Sequence, residues 1–128
     1  MVTIQHASAY AENPKLGCEH LAAICGGRVV PFGPLKGGWI VFFEGGAFIE
    51  LYPRGFRLKD VGGDTGFEPL PVPSTGAGSH FNLTVDRTRK EVEAICAERK
   101  IPCAPRPGMG FLDVWIDDGV LVECVCSG

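Results

Sequence analysis

The sequence of 128 residues is long enough for one compact domain, and a domain of this size buries about two-thirds of its unfolded surface. Acidic and basic residues are interspersed and the formal net charge is −3, which argues against a nucleic-acid partner or an anionic membrane surface. The N-terminal residues show no signal-peptide pattern, and no apolar run approaches the roughly 20 residues that span a bilayer. We therefore expect a single cytoplasmic domain, residues 1–128, without nucleic-acid or membrane partners.

The first part of the sequence, about residues 1–54, predicts the order strand, helix, strand, strand, strand. The segment IQHASAYA reads as a strand, and Asn13 with Pro14 is a typical cap and first-turn pair for a helix. That helix is expected from Pro14 to Cys25, because a glycine pair follows it. Three further strands are predicted in RVVPF, WIVFFE and AFIELYP, with glycine-rich breaks between them.

The last part of the sequence, about residues 79–128, repeats that order. SHFNLTVD predicts a strand, and apolar residues at helical spacing predict a helix from Arg87 to Lys100. Strands are then predicted in IPCAP, FLDVWID and VLVECVC, the last two joined by an Asp-Gly turn. The linker, about residues 55–78, is rich in glycine and proline, and a connection of this length is typical of a functional or mobile segment.

A histidine and a glutamate occur at equivalent places in the two repeats. His6 and Glu50 lie in the first and last strands of the first repeat, and His80 and Glu123 lie in those of the second. Both glutamates have apolar neighbours, and burying an unpaired carboxylate is costly, so a shared cation would satisfy both. Two imidazoles and two carboxylates suit a divalent metal ion of intermediate hardness: nickel, cobalt, zinc, manganese or iron.

Strand alternation predicts which side chains share a face with each histidine and glutamate. The opposite faces, which include Leu112, Val114 and Ile116, are expected to pack against the helices. The candidate substrate-binding residues are Tyr10, Phe48, Tyr52, Asn82, Thr84, Asp113 and Trp115. An aromatic lining suits an apolar or planar small-molecule substrate, but ordinary packing explains these aromatic residues equally well.

Other reactive side chains have simpler interpretations. The six cysteines show no paired CxxC spacing, so we expect reduced thiols in the core and not disulfides or a structural zinc site. His20 belongs to neither repeat position and is expected to face solvent from the first helix. Arg54, Arg57 and Lys59 are expected to form a solvated basic loop, the alternative being a clasp for an anionic substrate group.

The duplicated unit, with a polar residue on its first and last strands, resembles the vicinal oxygen chelate superfamily from Thr3 to Cys126. IQHASAY, AFIELYP, SHFNLTVD and VLVECVC are similar to the four ligand-bearing strands of bacterial-type glyoxalase I. The resemblance implies an α+β fold whose two βαβββ modules form a curled mixed sheet, or open barrel, with the helices outside. It also implies a homodimer and the metal ligands His6, Glu50, His80 and Glu123, in a cleft formed either within one chain or across two.

The resemblance further implies a reaction. Glyoxalase I, or lactoylglutathione lyase, isomerises a hemithioacetal to the thioester of a 2-hydroxy acid; here Glu123 would be the preferred catalytic base and Glu50 the less favoured one. The segment YAENPKLGCEHLAAIC lacks the arginine and the Phe-Tyr pair of the usual glutathione site, so the resemblance does not extend to that cosubstrate. Two alternatives stay open. One is a small-molecule or antibiotic-binding protein of the bleomycin-resistance type, and the other is a dioxygenase, epimerase or fosfomycin-type thiol transferase of the same superfamily.

Overall fold

The structure is a computed structural model of the chain, and it describes residues 3–58, 67–69 and 79–128. Module 1 consists of strand β1 (His6–Ala11), helix α1 (Pro14–Cys25) and strands β2 (Arg28–Pro31), β3 (Trp39–Phe42) and β4 (Phe48–Pro53). A short strand pair follows, β5 (Phe56–Leu58) with β6 (Phe67–Pro69). Module 2 consists of strand β7 (Ser79–Thr88), helix α2 (Arg89–Arg99) and strands β8 (Cys103–Pro105), β9 (Leu112–Asp117) and β10 (Val120–Ser127). The predicted order of both repeats is confirmed.

The two modules build sheets of the same mixed topology. The strand orders are β1-β4-β3-β2 and β7-β10-β9-β8, and in each sheet the first and last strands of the module pair in parallel. The remaining neighbours are antiparallel. The predicted α+β class with two βαβββ modules is confirmed, and the described strands form separate sheets without closing a barrel.

Local capping sets the limits of both helices. The Asn13 side chain accepts a hydrogen bond from the Leu16 N–H at 3.2 Å, so α1 begins where the sequence predicts. Helix α2 begins at Arg89, two residues later than predicted, because Thr88 and Glu91 form a capping box. The strand before it therefore continues to Thr88.

Helix α1 packs against both sheets. A Cβ atom added at Gly17 would lie 2.7 Å from Leu51 Cδ1 in module 1 and 3.9 Å from the Ile116 carbonyl oxygen in module 2. The helix-facing side chains of the two sheets consequently join in one buried core, which includes Ile49, Leu51, Val85, Leu112, Val114, Ile116, Val122 and Cys124. This core places the alternate residues of the strands, Glu50 and Glu123 among them, on the opposite sides of their sheets.

All six cysteines are free thiols, as predicted. Burial raises the pKa of Cys18, Cys96 and Cys124 to about 12, so these thiols stay protonated and unreactive at neutral pH. Within the described ranges, no helix has both the length and the apolar character needed to cross a membrane.

Candidate functional site

The module 1 half of the candidate site is built on neighbouring strands β1 and β4. Their register pairs His6 with Phe48 and Ser8 with Glu50, so His6 and Glu50 are diagonal neighbours on one face. The imidazole stacks on the Phe48 ring with centroids 4.7 Å apart. This arrangement holds the histidine and the glutamate on the same side of the sheet, as strand alternation predicts.

A tyrosine holds the Glu50 carboxylate. Glu50 is only 9% exposed, and its Oε2 atom accepts a hydrogen bond from the Tyr52 hydroxyl. Burial, and then the hydrogen bond to Glu50, raise the pKa of Tyr52 to about 12. The phenol therefore remains a hydrogen-bond donor at neutral pH and compensates the buried carboxylate.

Aromatic rings cover this part of the module 1 face. Tyr52 lies with ring centroids 5.3 Å from Phe32, 4.9 Å from Phe67 and 5.9 Å from Tyr10. Sequence reasoning selected Tyr10 and Tyr52 but missed Phe32 and Phe67. Phe67 belongs to the short strand β6, and neither its linker position nor its sequence spacing indicated a contact with Tyr52.

The module 2 half of the candidate site is built on β7 and β10. The register pairs Asn82 with Glu123 and His80 with Leu121, so His80 and Glu123 are again diagonal neighbours. Glu123 is 8% exposed, and its Oε1 atom accepts a hydrogen bond of 3.3 Å from Asn82 Nδ2. Each module thus contains a buried glutamate, a histidine on the same face and a neutral side chain that donates to the carboxylate.

An arginine that sequence reasoning missed contacts the second glutamate. Arg106 donates from Nη1 to Glu123 Oε2 at 3.1 Å and from Nε to Asp113 Oδ2 at 2.9 Å. The other carboxylate oxygen of Asp113, Oδ1, is buried and has no hydrogen-bond partner among the described residues. The only signal available in the sequence was that a buried Glu123 needs a partner, and that Arg106 lies between two strands of the Glu123 sheet.

The two histidines line one cavity. His6 and His80 are exposed, and in the described part of the chain neither imidazole makes a hydrogen bond or ion pair. They line a cavity of about 380 Å³ together with Phe48 and Asn82, at the edge strands β1 and β7. The described lining includes neither Glu50 nor Glu123.

The remaining predicted substrate-binding residues lie on separate surfaces. Trp115 is 44% exposed and lines a second cavity of about 630 Å³ with Leu16 and His20. Thr84 lines a third cavity, of about 230 Å³, beside Cys25. The candidate set therefore divides: Tyr10, Phe48 and Tyr52 lie near Glu50, Asn82 and Asp113 lie near Glu123, and Thr84 and Trp115 line other cavities.

The prediction that His20 faces solvent is wrong. His20 is 8% exposed, and its Nδ1 atom accepts a hydrogen bond of 2.9 Å from Arg99 Nε. Helix α1 packs against module 2 as well as module 1, which buries this side of the helix. Burial, and then the positive charge of Arg99, lower the pKa of His20 below its usual value.

The expectation of a solvated basic loop is also wrong for Arg54. Its side chain is 16% exposed and forms an ion pair of 3.0 Å with Glu12, and Nη2 donates to the Asp118 carbonyl oxygen. Arg54 therefore joins the end of β4 to the turn between β9 and β10. The side chain of Arg57 and all of Lys59 lie outside the described residues.

The candidate metal donors form two separate pairs, one on each module. Among residues 3–58, 67–69 and 79–128, no three or more His, Cys, Asp or Glu side chains come close enough together to hold a metal ion. Each module nevertheless presents one imidazole and one buried carboxylate on the sheet face turned away from the shared core. Nitrogen and oxygen donors of this kind suit intermediate divalent ions. Each module therefore carries one of the two predicted histidines and one of the two predicted glutamates. Arg106 already forms an ion pair with one of these glutamates, Glu123.

Comparison with known proteins identifies the fold. No protein-family model and no curated protein sequence matches the chain. The glyoxylase/bleomycin resistance protein/dioxygenase domain from Frankia sp. superposes with a TM-score of 0.62 at 14% identity, covering 100% of this chain and 99% of that one. The fosfomycin resistance protein FosX from Listeria monocytogenes superposes with a TM-score of 0.63 at 14% identity, covering 97% and 90%.

A third solved structure extends the comparison to a protein named as an enzyme. Lactoylglutathione lyase from Agrobacterium tumefaciens superposes with a TM-score of 0.54 at 20% identity, covering 95% of this chain and 92% of that one. The duplicated α+β modules thus have the fold of the vicinal oxygen chelate superfamily, as the sequence resemblance predicts. At these identities the similarity defines the fold alone, and the function has to be argued from the site.

Proposed function

We propose that this protein is a metal-dependent, glyoxalase-like enzyme that acts on a small substrate with two adjacent oxygens. The observation that supports this function is the repeated pair of a buried glutamate and a diagonal histidine, Glu50 with His6 and Glu123 with His80. Two half-sites of this kind supply four nitrogen and oxygen donors. Four protein ligands on an octahedral ion leave two positions for a substrate that chelates through adjacent oxygens.

In the proposed function, a second copy of the chain completes the site. Within one chain, His6 and His80 line the same cavity, but the described lining of that cavity includes neither Glu50 nor Glu123. A two-fold homodimer would bring His6 and Glu50 of one protomer opposite His80 and Glu123 of the other, and would create two identical clefts. The dimer is therefore part of the proposed function.

The side chains of the cleft have separate roles in the proposed reaction. A bound divalent ion supplies Lewis-acid stabilisation of negative charge on the adjacent oxygens of the substrate. Glu123 acts as the base that takes a proton from the carbon beside the carbonyl and returns it to the neighbouring carbon. Asn82 orients the Glu123 carboxylate at 3.3 Å, and the Tyr52 hydroxyl anchors Glu50 as a ligand. The rings of Tyr10, Phe32 and Phe67 pack against Tyr52 and so support the residue that anchors Glu50.

Metal content tests the site directly. Protein purified without chelators should contain a stoichiometric divalent metal, and the His80→Ala variant should lose it because one imidazole ligand is missing. Asp86→Ala is the matched control, since Asp86 is an exposed residue of the same strand and should leave the metal content unchanged. Inductively coupled plasma mass spectrometry measures all three proteins. An absence of metal from every preparation would contradict the metalloenzyme.

A spectrophotometric assay tests the reaction. Methylglyoxal is mixed with several thiols, and thioester formation is followed after the protein has been loaded with nickel or zinc. The Glu123→Gln variant should lose roughly a hundredfold or more in kcat, because it lacks the proposed base. If no combination of thiol and metal gives turnover, the protein does not have glyoxalase activity, whatever its metal content.

The ion pair between Arg106 and Glu123 favours a second candidate function. An arginine already neutralises the buried carboxylate without any metal, as expected for a metal-free module that binds an antibiotic or metabolite. The two functions differ in one measurement. Isothermal titration calorimetry of chelator-treated protein with bleomycin or fosfomycin would show metal-independent binding if the second function is correct.

A further inference from the structure

We infer that Arg106 competes with the metal ion for the Glu123 carboxylate, so that metal loading requires this arginine to release its partner. The inference rests on the proposed function, because it concerns the same half-site. It assigns Arg106 the role of setting the affinity of the site for metal, and with it the balance between the metal-bound and metal-free forms of the protein.

The contacts of Arg106 are those of a cation held between two acids. Its guanidinium reaches Glu123 Oε2 at 3.1 Å and Asp113 Oδ2 at 2.9 Å through different nitrogens. Asp113 and Glu123 are directly opposite each other in the register of β9 and β10. Like charges in that position repel, so the pair requires a cation between or beside it.

The exposure of Arg106 allows a metal ion to replace its guanidinium beside Glu123. Its side chain is 38% exposed, whereas those of Asp113 and Glu123 are 18% and 11% exposed. The arginine can therefore move into solvent while both acids stay where the sheet holds them. The Phe111 ring already lies 5.4 Å from the guanidinium carbon, and this contact does not depend on either carboxylate.

An unused acceptor lies beside this half-site. In the part of the chain that the structure describes, Asp113 Oδ1 is buried without a hydrogen-bond partner, so Arg106 satisfies only one of the two oxygens of that carboxylate. Release of the arginine would leave two neighbouring carboxylates, Asp113 and Glu123, without a compensating positive charge. That excess negative charge favours a divalent cation at Glu123 more strongly than a monovalent guanidinium.

Calorimetric titration with nickel chloride tests the inference on chelator-treated, full-length protein. The Arg106→Gln variant should bind nickel about tenfold more tightly than the wild type, or better, because the metal no longer displaces a charge-assisted hydrogen bond. Arg54→Gln is the matched control: Arg54 also pairs with carboxylates, but with Glu12 of module 1 and with Asp118 in the turn between β9 and β10, not with Glu123. Its nickel affinity should equal that of the wild type.

A second variant keeps the experiment decisive. Arg106→Lys retains the positive charge but loses the planar fork that reaches both carboxylates, so its nickel affinity should lie between those of the wild type and Arg106→Gln. Circular dichroism confirms that each variant is folded before titration. If Arg106→Gln fails to fold, the nickel affinity of Arg106→Lys is compared with that of the wild type instead.

The possible outcomes separate the inference from the proposed function. Equal nickel affinity in wild type and Arg106→Gln, or weaker binding by the variant, overturns competition by Arg106 and leaves the metalloenzyme standing. Binding by Arg106→Gln alone supports the competition and contradicts a metal-dependent function for the native chain. Absence of binding by every protein overturns both.

Discussion

His20, Glu50 and Glu123 are buried polar residues, and each has a partner within the chain: Arg99 for His20, Tyr52 for Glu50, and Asn82 with Arg106 for Glu123. A buried polar side chain is tolerated when its hydrogen bonds are made, and each of these partners supplies one. An arginine partner stabilises a carboxylate, but it disfavours a protonated imidazole. The same kind of side chain therefore has opposite effects at Glu123 and at His20.

The lowered pKa of His20 predicts that the protein loses stability in mild acid. Above the unfolded-state pKa of 6.5, the imidazole is neutral in both the folded and the unfolded state, and the contribution of His20 to the free energy of unfolding is fully present. As the pH falls below 6.5, the unfolded state takes up the proton first, so the free energy of unfolding falls by up to about 1.4 kcal/mol per pH unit until the folded-state pKa is reached. The His20→Gln variant cannot titrate there, and it keeps an acceptor for Arg99.

Urea denaturation at about pH 7.5 and about pH 5.5 measures this difference. The wild type should lose more stability over that interval than His20→Gln, although the variant is less stable at the higher pH because the packing differs. An identical pH dependence in the two proteins would contradict a lowered pKa at His20.

Sequence reasoning located the buried acids and placed Tyr52 and Asn82 on their faces, but it did not predict Arg106. Apolar neighbours in the same strands indicated that Glu50 and Glu123 are buried, because a strand with apolar residues on both faces is covered on both sides. Tyr52 shares a strand with Glu50, so its position on the same face could be predicted. Arg106 lies outside a strand, in the connection between β8 and β9, where no periodicity indicates the direction of a side chain.

At the scale of the elements, α1 depends on both modules. Its own sequence supplies Asn13 as a cap and Gly26 as an end, and both were predicted. Module 2 adds the Asp117 carboxylate, which accepts the N–H groups of Glu12 and Asn13 at 2.7 and 2.8 Å. That contact joins residues more than a hundred positions apart, and local patterns cannot predict it.

Substitution of Asp117 should therefore destabilise α1 and the contact between the modules together. Asp117→Ala removes two charge-assisted hydrogen bonds at the start of the helix and should lower the free energy of unfolding by about 1 to 2 kcal/mol. Asp118→Ala is the control: its carboxylate is 88% exposed, and the backbone oxygen that Arg54 contacts is retained. Differential scanning calorimetry should show a lower Tm for Asp117→Ala alone, and equal Tm values for the two variants would contradict this role of Asp117.

At the scale of the whole molecule, one buried core is shared by two similar modules, and their histidine and glutamate pairs lie on the sheet faces opposite that core. The duplication made the two modules predictable, because each repeat contains the same order of elements. Their relative placement was not predictable, since it follows from the packing of α1 against both sheets. For the same reason, the choice between a cleft within one chain and a cleft across two could not be made from the sequence.

A mixing experiment distinguishes these two clefts. His6→Ala and His80→Ala chains should each bind no nickel as homodimers, because every site lacks one imidazole. If the proposed cleft spans two chains, a heterodimer combines His6 of one variant with His80 of the other, so one of its two sites is intact. Random exchange should then restore about a quarter of the wild-type nickel binding.

The two variants are denatured together, refolded and titrated with nickel chloride beside an unmixed control, and size-exclusion chromatography with light scattering establishes that dimers have formed. A cleft within one chain predicts no recovery, because exchange of chains leaves every site with one histidine missing. Dimers without recovered nickel binding would therefore exclude the cleft that spans two chains, and recovery in the mixed sample alone would exclude the cleft within one chain.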